Sequence, residues 1–498
     1  MEVKQLHHLR SGCLVLLLTT MLLAGCASTG GLHPTATPTE PASLHAARSL
    51  AGVKLDAAAW PQPGWWKAVG DPQLDRLVDE ALADNPDMTL VDARVRAALA
   101  AAGAADAERK PTLNGGASVA GARVPPLLPP IANGHFGVLR YGYLSFKWDI
   151  DLWGGKRVAW QAAVGNARAA EVDARAARLK LSADVVQAYF DLGGAYVLRH
   201  LAREELQRAE DFQRLTQKLV TNGIDSRFSL VRIQGESQAD RARLEAADNA
   251  VRTSGLVLAA LLGKGPDAAL SIHEPKLPPI PALVLPSDLP AELLGRRPDV
   301  VAARWRVEAS GKEIKVAKTK FLPNLSISSL AGLIAPSTMD LFALPNRFYT
   351  LSPAVSLPIF EGGALRANLA GKDAARDIAV AQYNQTLVHA INQVATQVDD
   401  LRSLSTQVND AAAARASAED AYTLSVQRFH AGIGSFLEAL TVRQELISAE
   451  QQLAALQLSR SNAWAMLNES LGGGFQPAAD APSLAVTRDS ESESKANP

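Results

Sequence analysis

Thiols, imidazoles and converging carboxylates are the side chains that most often carry out chemistry, and this chain uses them sparingly. Two of its 498 residues are cysteines, Cys13 and Cys26. Beyond Cys26 no disulfide, thiolate nucleophile or cysteine-ligated metal can form. The nine histidines are scattered, and past His8 none lies three or four residues from another. That spacing is what sets two zinc ligands on one helix face. No Gly-x-Ser-x-Gly, His-Glu-x-x-His, P-loop or dinucleotide fingerprint occurs. The reading is therefore no enzyme, no catalytic residue, no metal and no cofactor. Fifty Lys and Arg stand against 51 Asp and Glu, a net charge of -1. Such a balance offers no basic stripe to neutralise phosphates, so no nucleic acid is expected as partner.

Cys26 is the residue whose surroundings suggest a reaction. Lys4 and Arg10 precede an apolar run from Cys13 to Leu23, followed by Ala24-Gly25-Cys26. A basic end, a short apolar core and small residues read as a signal peptide over 1–25. The run is shorter than the ~20 apolar residues that span a bilayer. Cys26 is incidental if the signal is a plain one. Leu23-Ala24-Gly25-Cys26, however, resembles a bacterial lipobox. That resemblance implies cleavage before Cys26, fatty acylation (palmitate) there, and sorting to the outer membrane because Ala27 follows. Residues 26–63, rich in Ser, Thr, Pro, Ala and Gly, read as a lipidated flexible tether.

The elements behind this leader are written twice. Asn85-Pro86-Asp87 recurs as Arg297-Pro298-Asp299, and Pro111 as Pro323, both at an offset of 212. Gly154-Gly155 recurs as Gly362-Gly363 at 208, and Asn222-Gly223-Ile224 as Ala431-Gly432-Ile433 at 209. Leu262-Gly263 recurs as Leu471-Gly472, also at 209. Landmarks in one order at a near-fixed offset predict two repeats, 64–263 and 291–473. Seven prolines between residues 264 and 290 make that stretch a linker or cap. Residues 474–498 read as a disordered tail.

Each repeat predicts a helix, two alternating segments, and a very long helix that reverses at a glycine into a shorter one. The long helices run from Gly155 to Thr221 and from Gly363 to Ala431, roughly 100 Å each at 1.5 Å per residue. In the second, Val380, Tyr383, Leu387, Ile391, Val394, Val398 and Leu401 take six steps over 21 residues, a mean of 3.5. That is the coiled-coil period. The acidic tracts Glu204-Glu205 and Asp399-Asp400 read as solvated helix faces.

From Tyr143 to Trp153, Leu144, Phe146, Trp148, Ile150 and Leu152 alternate with Ser145, Lys147, Asp149 and Asp151. Similar alternation covers Leu113 to Val119, Asn324 to Ser328, and Ala354 to Ile359. A half-buried strand of a soluble sheet and a membrane strand share this period. Two segments per repeat make four per chain. Four strands cannot close, and an open edge cannot sit in lipid. If they span a membrane, several chains must share one barrel, with eight strands from two copies or twelve from three.

With Trp65-Trp66, Asp71-Pro72-Gln73-Leu74, Arg297-Pro298-Asp299, Phe321-Leu322-Pro323, Ile359-Phe360-Glu361-Gly362-Gly363 and Ala431-Gly432-Ile433, the chain resembles the TolC-like outer-membrane factors of tripartite efflux systems, and within them the NodT-type lipoproteins. The resemblance implies an α+β membrane protein. A homotrimer would share a twelve-stranded barrel, continued by a long α-helical barrel into the periplasm. A periplasmic adaptor and an inner-membrane pump are the implied partners. It implies a passive exit duct gated at the helix tips, with Gly223 and Gly432 at the turns. Carried over by position, Leu437 falls on an apolar ring and Glu438 on an acidic one. Thr441 and Ser229 stand where relatives usually carry aspartate. Arg227 is expected to bridge to Glu438 or Asp225. Two alternatives are a type I secretion channel and a coiled-coil surface lipoprotein without a pore.

Overall fold

The computed structural model describes residues 29–40, 43–44, 60–123, 136–276, 280–281, 284–286 and 295–476. The expected signal peptide, Cys26 and residues 477–498 lie outside them.

The short helix α1 (Pro72–Asp84) is followed by α2 (Pro86–Ala107). Strands β1 (Thr112–Arg123) and β2 (Phe136–Ile150) come next, then α3 (Gly155–Thr221) and α4 (Arg227–Leu261). The order then recurs: α5 (Pro298–Thr319), β3 (Asn324–Pro336), β4 (Arg347–Ser356), α6 (Ala364–His430) and α7 (Phe436–Ser470). Helices α2 and α5 have 22 residues each, α3 and α6 have 67, and α4 and α7 have 35.

Proline fixes the starts of α1, α2 and α5, where its missing N–H costs nothing. Asp71 caps α1 and Asn85 caps α2, each accepting the backbone N–H two residues on, at 2.9 and 2.7 Å. Helices α3 and α4 pair antiparallel, as do α6 and α7, and α3 also packs along α5 and α7. The main core lies around mid-helix. The stripe Val380, Tyr383, Leu387, Ile391, Val394, Val398 and Leu401 is buried, as are Val185, Tyr189 and Leu192. Leu74, Leu77 and Val78 of α1 close this core, and Trp65 packs edge-on against Trp464 at 5.5 Å.

The four strands form one antiparallel sheet in the order β1-β2-β3-β4. Strand β2 starts at Phe136, earlier than the alternation indicates, and ends at Ile150, before Leu152 and Trp153. Asp151 ends it. Its carboxylate accepts the N–H groups of Lys156 and Arg157 at 2.9 and 2.8 Å, turning the chain into α3. Strand β4 likewise ends at Ser356, short of Leu357 and Ile359. Pro358 has no N–H to continue a ladder.

Two connecting segments make contacts that the sequence does not show. Within the supposed flexible tether, residues 29–40 lie along α6. Asp377 accepts from the N–H groups of Thr35 and Ala36 at 3.1 and 2.9 Å, and Asn384 accepts from Thr39 at 2.7 Å. An extended strand on a helix leaves its own N–H groups open, and these side chains satisfy them. In the proline-rich linker Pro266–Ser271 forms a 3-10 turn, while Ile272 and Leu285 are buried in the main core.

Candidate functional site

The sheet sorts its side chains by chemistry. Directly paired residues share a face. Leu113 faces Phe146, Trp148 faces Ile327, and Leu325 faces Val355. One face therefore collects Leu113, Leu144, Phe146, Trp148, Ile150, Ile327, Leu351 and Val355. The other carries Thr112, Asn114, Ser145, Lys147, Asp149, Ser326, Ser328 and Ser352. On the apolar face Leu113, Val119, Leu144, Tyr349, Leu351 and Val355 are exposed. Among the described residues β1 and β4 each pair on one side only. The described part of a single chain thus has an uncovered apolar surface and two open edges.

At the far end of the long helices lie the two reversals. Gly223 and Gly432 have φ of 71° and 74°, the left-handed conformation that glycine adopts without strain. In each turn the residue after the glycine donates its N–H five residues back, Ile224 to Leu219 at 2.8 Å and Ile433 to Arg428 at 3.1 Å. Ser226 and Ser435 cap the returning helices by accepting from the N–H of Ser229 and Glu438, at 3.3 and 3.0 Å. Beneath the turns Phe212, Ile233, Phe436, Ala439 and Leu440 form a small core, with Phe212 stacked on Phe436 at 5.3 Å.

The residues expected at a gate divide into two groups. Leu437, Glu438 and Thr441 lie together on the exposed side of α7, opposite that core. Ser229 does not join them. It is buried, and its hydroxyl donates to Asp225 at 2.8 Å, so it braces the turn. Arg227 reaches neither Glu438 nor Asp225. Glu438 has Arg428 at 3.7 Å, and Asp225 accepts from Ser226 and Ser229. Arg227 is the first residue of α4 and is exposed.

Sequence reasoning missed a second constellation. Glu205, read as a solvated acid, is buried. Arg443 of α7 reaches it at 3.0 Å and reaches Asp240 of α4 at 2.5 Å. Arg208 extends the network to Glu205 and, at 3.4 Å, to Glu450 of α7, and Arg415 of α6 adds a contact to Glu450 at 3.6 Å. All four long helices meet here. Burial pushes the Glu205 carboxyl upward against the pull of Arg443 and Arg208. Burial alone would lower the Arg443 pKa, but Asp240 and Glu205 hold it above its ordinary value. The signal was readable. Phe436, Leu440, Arg443, Ile447 and Glu450 step by four and three, which puts both charges on the inward seam.

A third buried group anchors the mid-helix core. Burial of Asp71 works against its charge. Hydrogen bonds from the Tyr189 hydroxyl and the N–H groups of Gln73 and Lys276, at 2.5, 2.9 and 3.0 Å, outweigh it and hold the carboxyl below its usual range. No group of three or more metal-ligating side chains converges among the described residues. Nothing described here resembles a catalytic constellation.

Comparison with known proteins supplies the context. The model of the outer membrane efflux protein family matches residues 77–264 and 289–473. The fusaric acid resistance protein FusA of Burkholderia cepacia is 37% identical over 368 residues, which is 72% of this chain and 69% of that protein. The multidrug resistance outer membrane protein MdtP of Escherichia coli is 28% identical over 477 residues, 92% of this chain and 95% of its own. Among solved structures, the outer membrane protein VceC of Vibrio cholerae superposes with a TM-score of 0.78 at 31% identity, covering 84% of this chain and 100% of that one. The CmeC outer membrane channel of Campylobacter jejuni shares the fold, with a TM-score of 0.82 at 23% identity over 90% of this chain and 96% of that one.

Proposed function

This chain belongs to the outer membrane efflux protein family, and we propose that it works as a homotrimeric, passive exit duct, the outer-membrane channel of a tripartite efflux pump. Three copies pool their strands into a twelve-stranded barrel, and their long helices continue it as a tunnel across the periplasm. Acylated Cys26 anchors each chain in the outer membrane. A periplasmic adaptor and an inner-membrane pump dock at the helix tips and supply direction and energy, while the duct itself transforms no substrate. The resistance named for FusA and MdtP supports small organic molecules as cargo.

The observation that carries this reading is the two-faced sheet with both edges open. An apolar face of exposed Leu, Val and Tyr suits hydrocarbon, and a Ser, Asn, Lys and Asp face suits a wet lumen. Unpaired edges are tolerable in lipid only when other copies pair with them. Equal helix lengths in the two halves support an architecture of two repeats, 64–263 and 291–473. Leu437, Glu438 and Thr441, held at the Gly223 and Gly432 reversals, are the best-placed gate residues. Ser229 acts by stiffening the first turn and Arg227 by its charge at the mouth.

Conductance of the purified protein in a planar lipid bilayer tests the duct. Discrete long-lived steps are expected, larger or more frequent after Leu437→Ala with Glu438→Ala. Silence from folded protein carrying both substitutions would exclude a pore and favour a coiled-coil lipoprotein.

A further inference from the structure

Nine residues on either side of Gly223 and of Gly432 hold five cationic side chains, Arg214, Lys218, Arg227, Arg232 and Arg428. The same windows hold two acids, Asp225 and Glu438. Each chain therefore brings +3 to its tips, and three copies bring +9. Widening the windows to twelve residues adds Asp211, Asp420 and Arg443 and leaves cations in excess, and Glu210, Glu236, Glu419 and Glu445 stand one residue beyond, so the excess is confined to the turns themselves. All five cations are exposed, while both acids are already engaged, Asp225 by the two serines of its turn and Glu438 by Arg428.

Local structure accounts for part of this charge. Lys218 and Arg428 stand in the last turns of α3 and α6, where cations favour the carbonyl end of a helix. Arg214 pairs with Asp211. Arg227 and Arg232 have no such explanation. Arg227 opens α4, whose first turn holds no acid, so the helix dipole opposes its charge there. Neither arginine makes a hydrogen bond or ion pair among the described residues. In the second half the same two positions, 209 residues on, are Phe436 and Thr441. The basic pair thus belongs to the first turn alone.

We infer that the periplasmic mouth favours anions over cations, and that Arg227 and Arg232 set this preference; the inference rests on the exit-duct reading. The side chains need not line the bore. A narrow mouth with low-dielectric walls focuses the field of nearby charges, and a charge within a Debye length, about 8 Å at physiological salt, acts on the entrance.

The test is the reversal potential of the reconstituted wild-type channel in a potassium chloride gradient. Chloride should be preferred to potassium by about threefold at low salt, and the ratio should approach one as salt is raised and screening shortens. Arg227→Gln with Arg232→Gln should abolish the preference, and Arg227→Lys with Arg232→Lys should keep it. A wild-type channel that prefers potassium or shows no preference overturns the inference and leaves the duct standing. An unchanged ratio in the double glutamine variant overturns the assignment to these residues. No channel at all, even with Leu437 and Glu438 replaced by alanine, removes the duct reading and this inference with it.

Discussion

Asp71 caps α1, takes the Tyr189 hydroxyl and ties down the backbone at Lys276, so one carboxylate joins a helix start, a long helix and the inter-repeat segment. Its pKa is depressed in the fold, which fixes the sign of the pH effect. Its contribution is complete above the ordinary carboxylate value of 3.8 and is lost as pH falls through the lower folded value. Apparent melting temperature should drop more steeply below pH ~4 in the wild type than in Asp71→Asn, which should start lower at neutral pH. Parallel curves would remove Asp71 from this role. Glu438 makes a different case. It is an exposed acid in the first turn of α7 with Arg428 beside it. Replacing it with Gln should cost at most about 1 kcal/mol and, by freeing Arg428, should raise chloride preference in the reversal-potential assay. A shift toward potassium would contradict the pairing. The reversals at Gly223 and Gly432 were legible because a glycine between two long apolar patterns marks a turn, whereas Leu437 and Glu438 were singled out by the family resemblance alone. Their partners were not legible. Which arginine meets Glu438 depends on side-chain direction across the turn, and periodicity carries no information about that.

Helices α3 and α6 were readable almost to the residue, because a 3.5-residue stripe and a flanking glycine on each side leave little freedom. Glu205 was not, because a pair of adjacent acids looks solvated until the opposing seam is known. That seam is α7, where Arg443 and Glu450 take places an apolar residue would normally hold. The consequence is energetic. Arg443→Met strips one partner from each of Glu205 and Asp240 while keeping them buried, at a cost of about 3 kcal/mol. Thermal unfolding of the detergent-solubilised protein should shift down by several degrees. Adding Glu205→Leu and Asp240→Leu should recover most of that loss, since neither buried acid is then left without Arg443, and Arg208 keeps Glu204 and Glu450 as partners. If the single variant melts like the wild type, the cluster is not the junction of the four helices. The strand ends, by contrast, were misjudged for local reasons: Asp151 diverts the chain into α3, and Pro358 cannot continue the ladder.

At the scale of the whole molecule the question is how many copies close the sheet. Four strands leave two edges and an exposed apolar face, so one chain in lipid would bury unpaired N–H and C=O groups. Two copies would give eight strands, which meets the minimum for closure. An eight-stranded barrel, however, has an interior just wide enough to be filled by side chains. The polar face, which such a barrel would turn inward, carries Tyr141 stacked on Tyr143, with Lys147 further along β2, enough bulk to plug so narrow a bore. Twelve strands give a wider barrel, and diameter grows roughly linearly with strand number. A duct therefore requires three copies where a merely closed barrel requires two. Light scattering of the detergent-solubilised protein, corrected for bound detergent, should give three chains per particle. Two chains would mean a closed but filled barrel and would end the duct reading. One chain would mean that the apolar face of the sheet is covered by something other than its own copies.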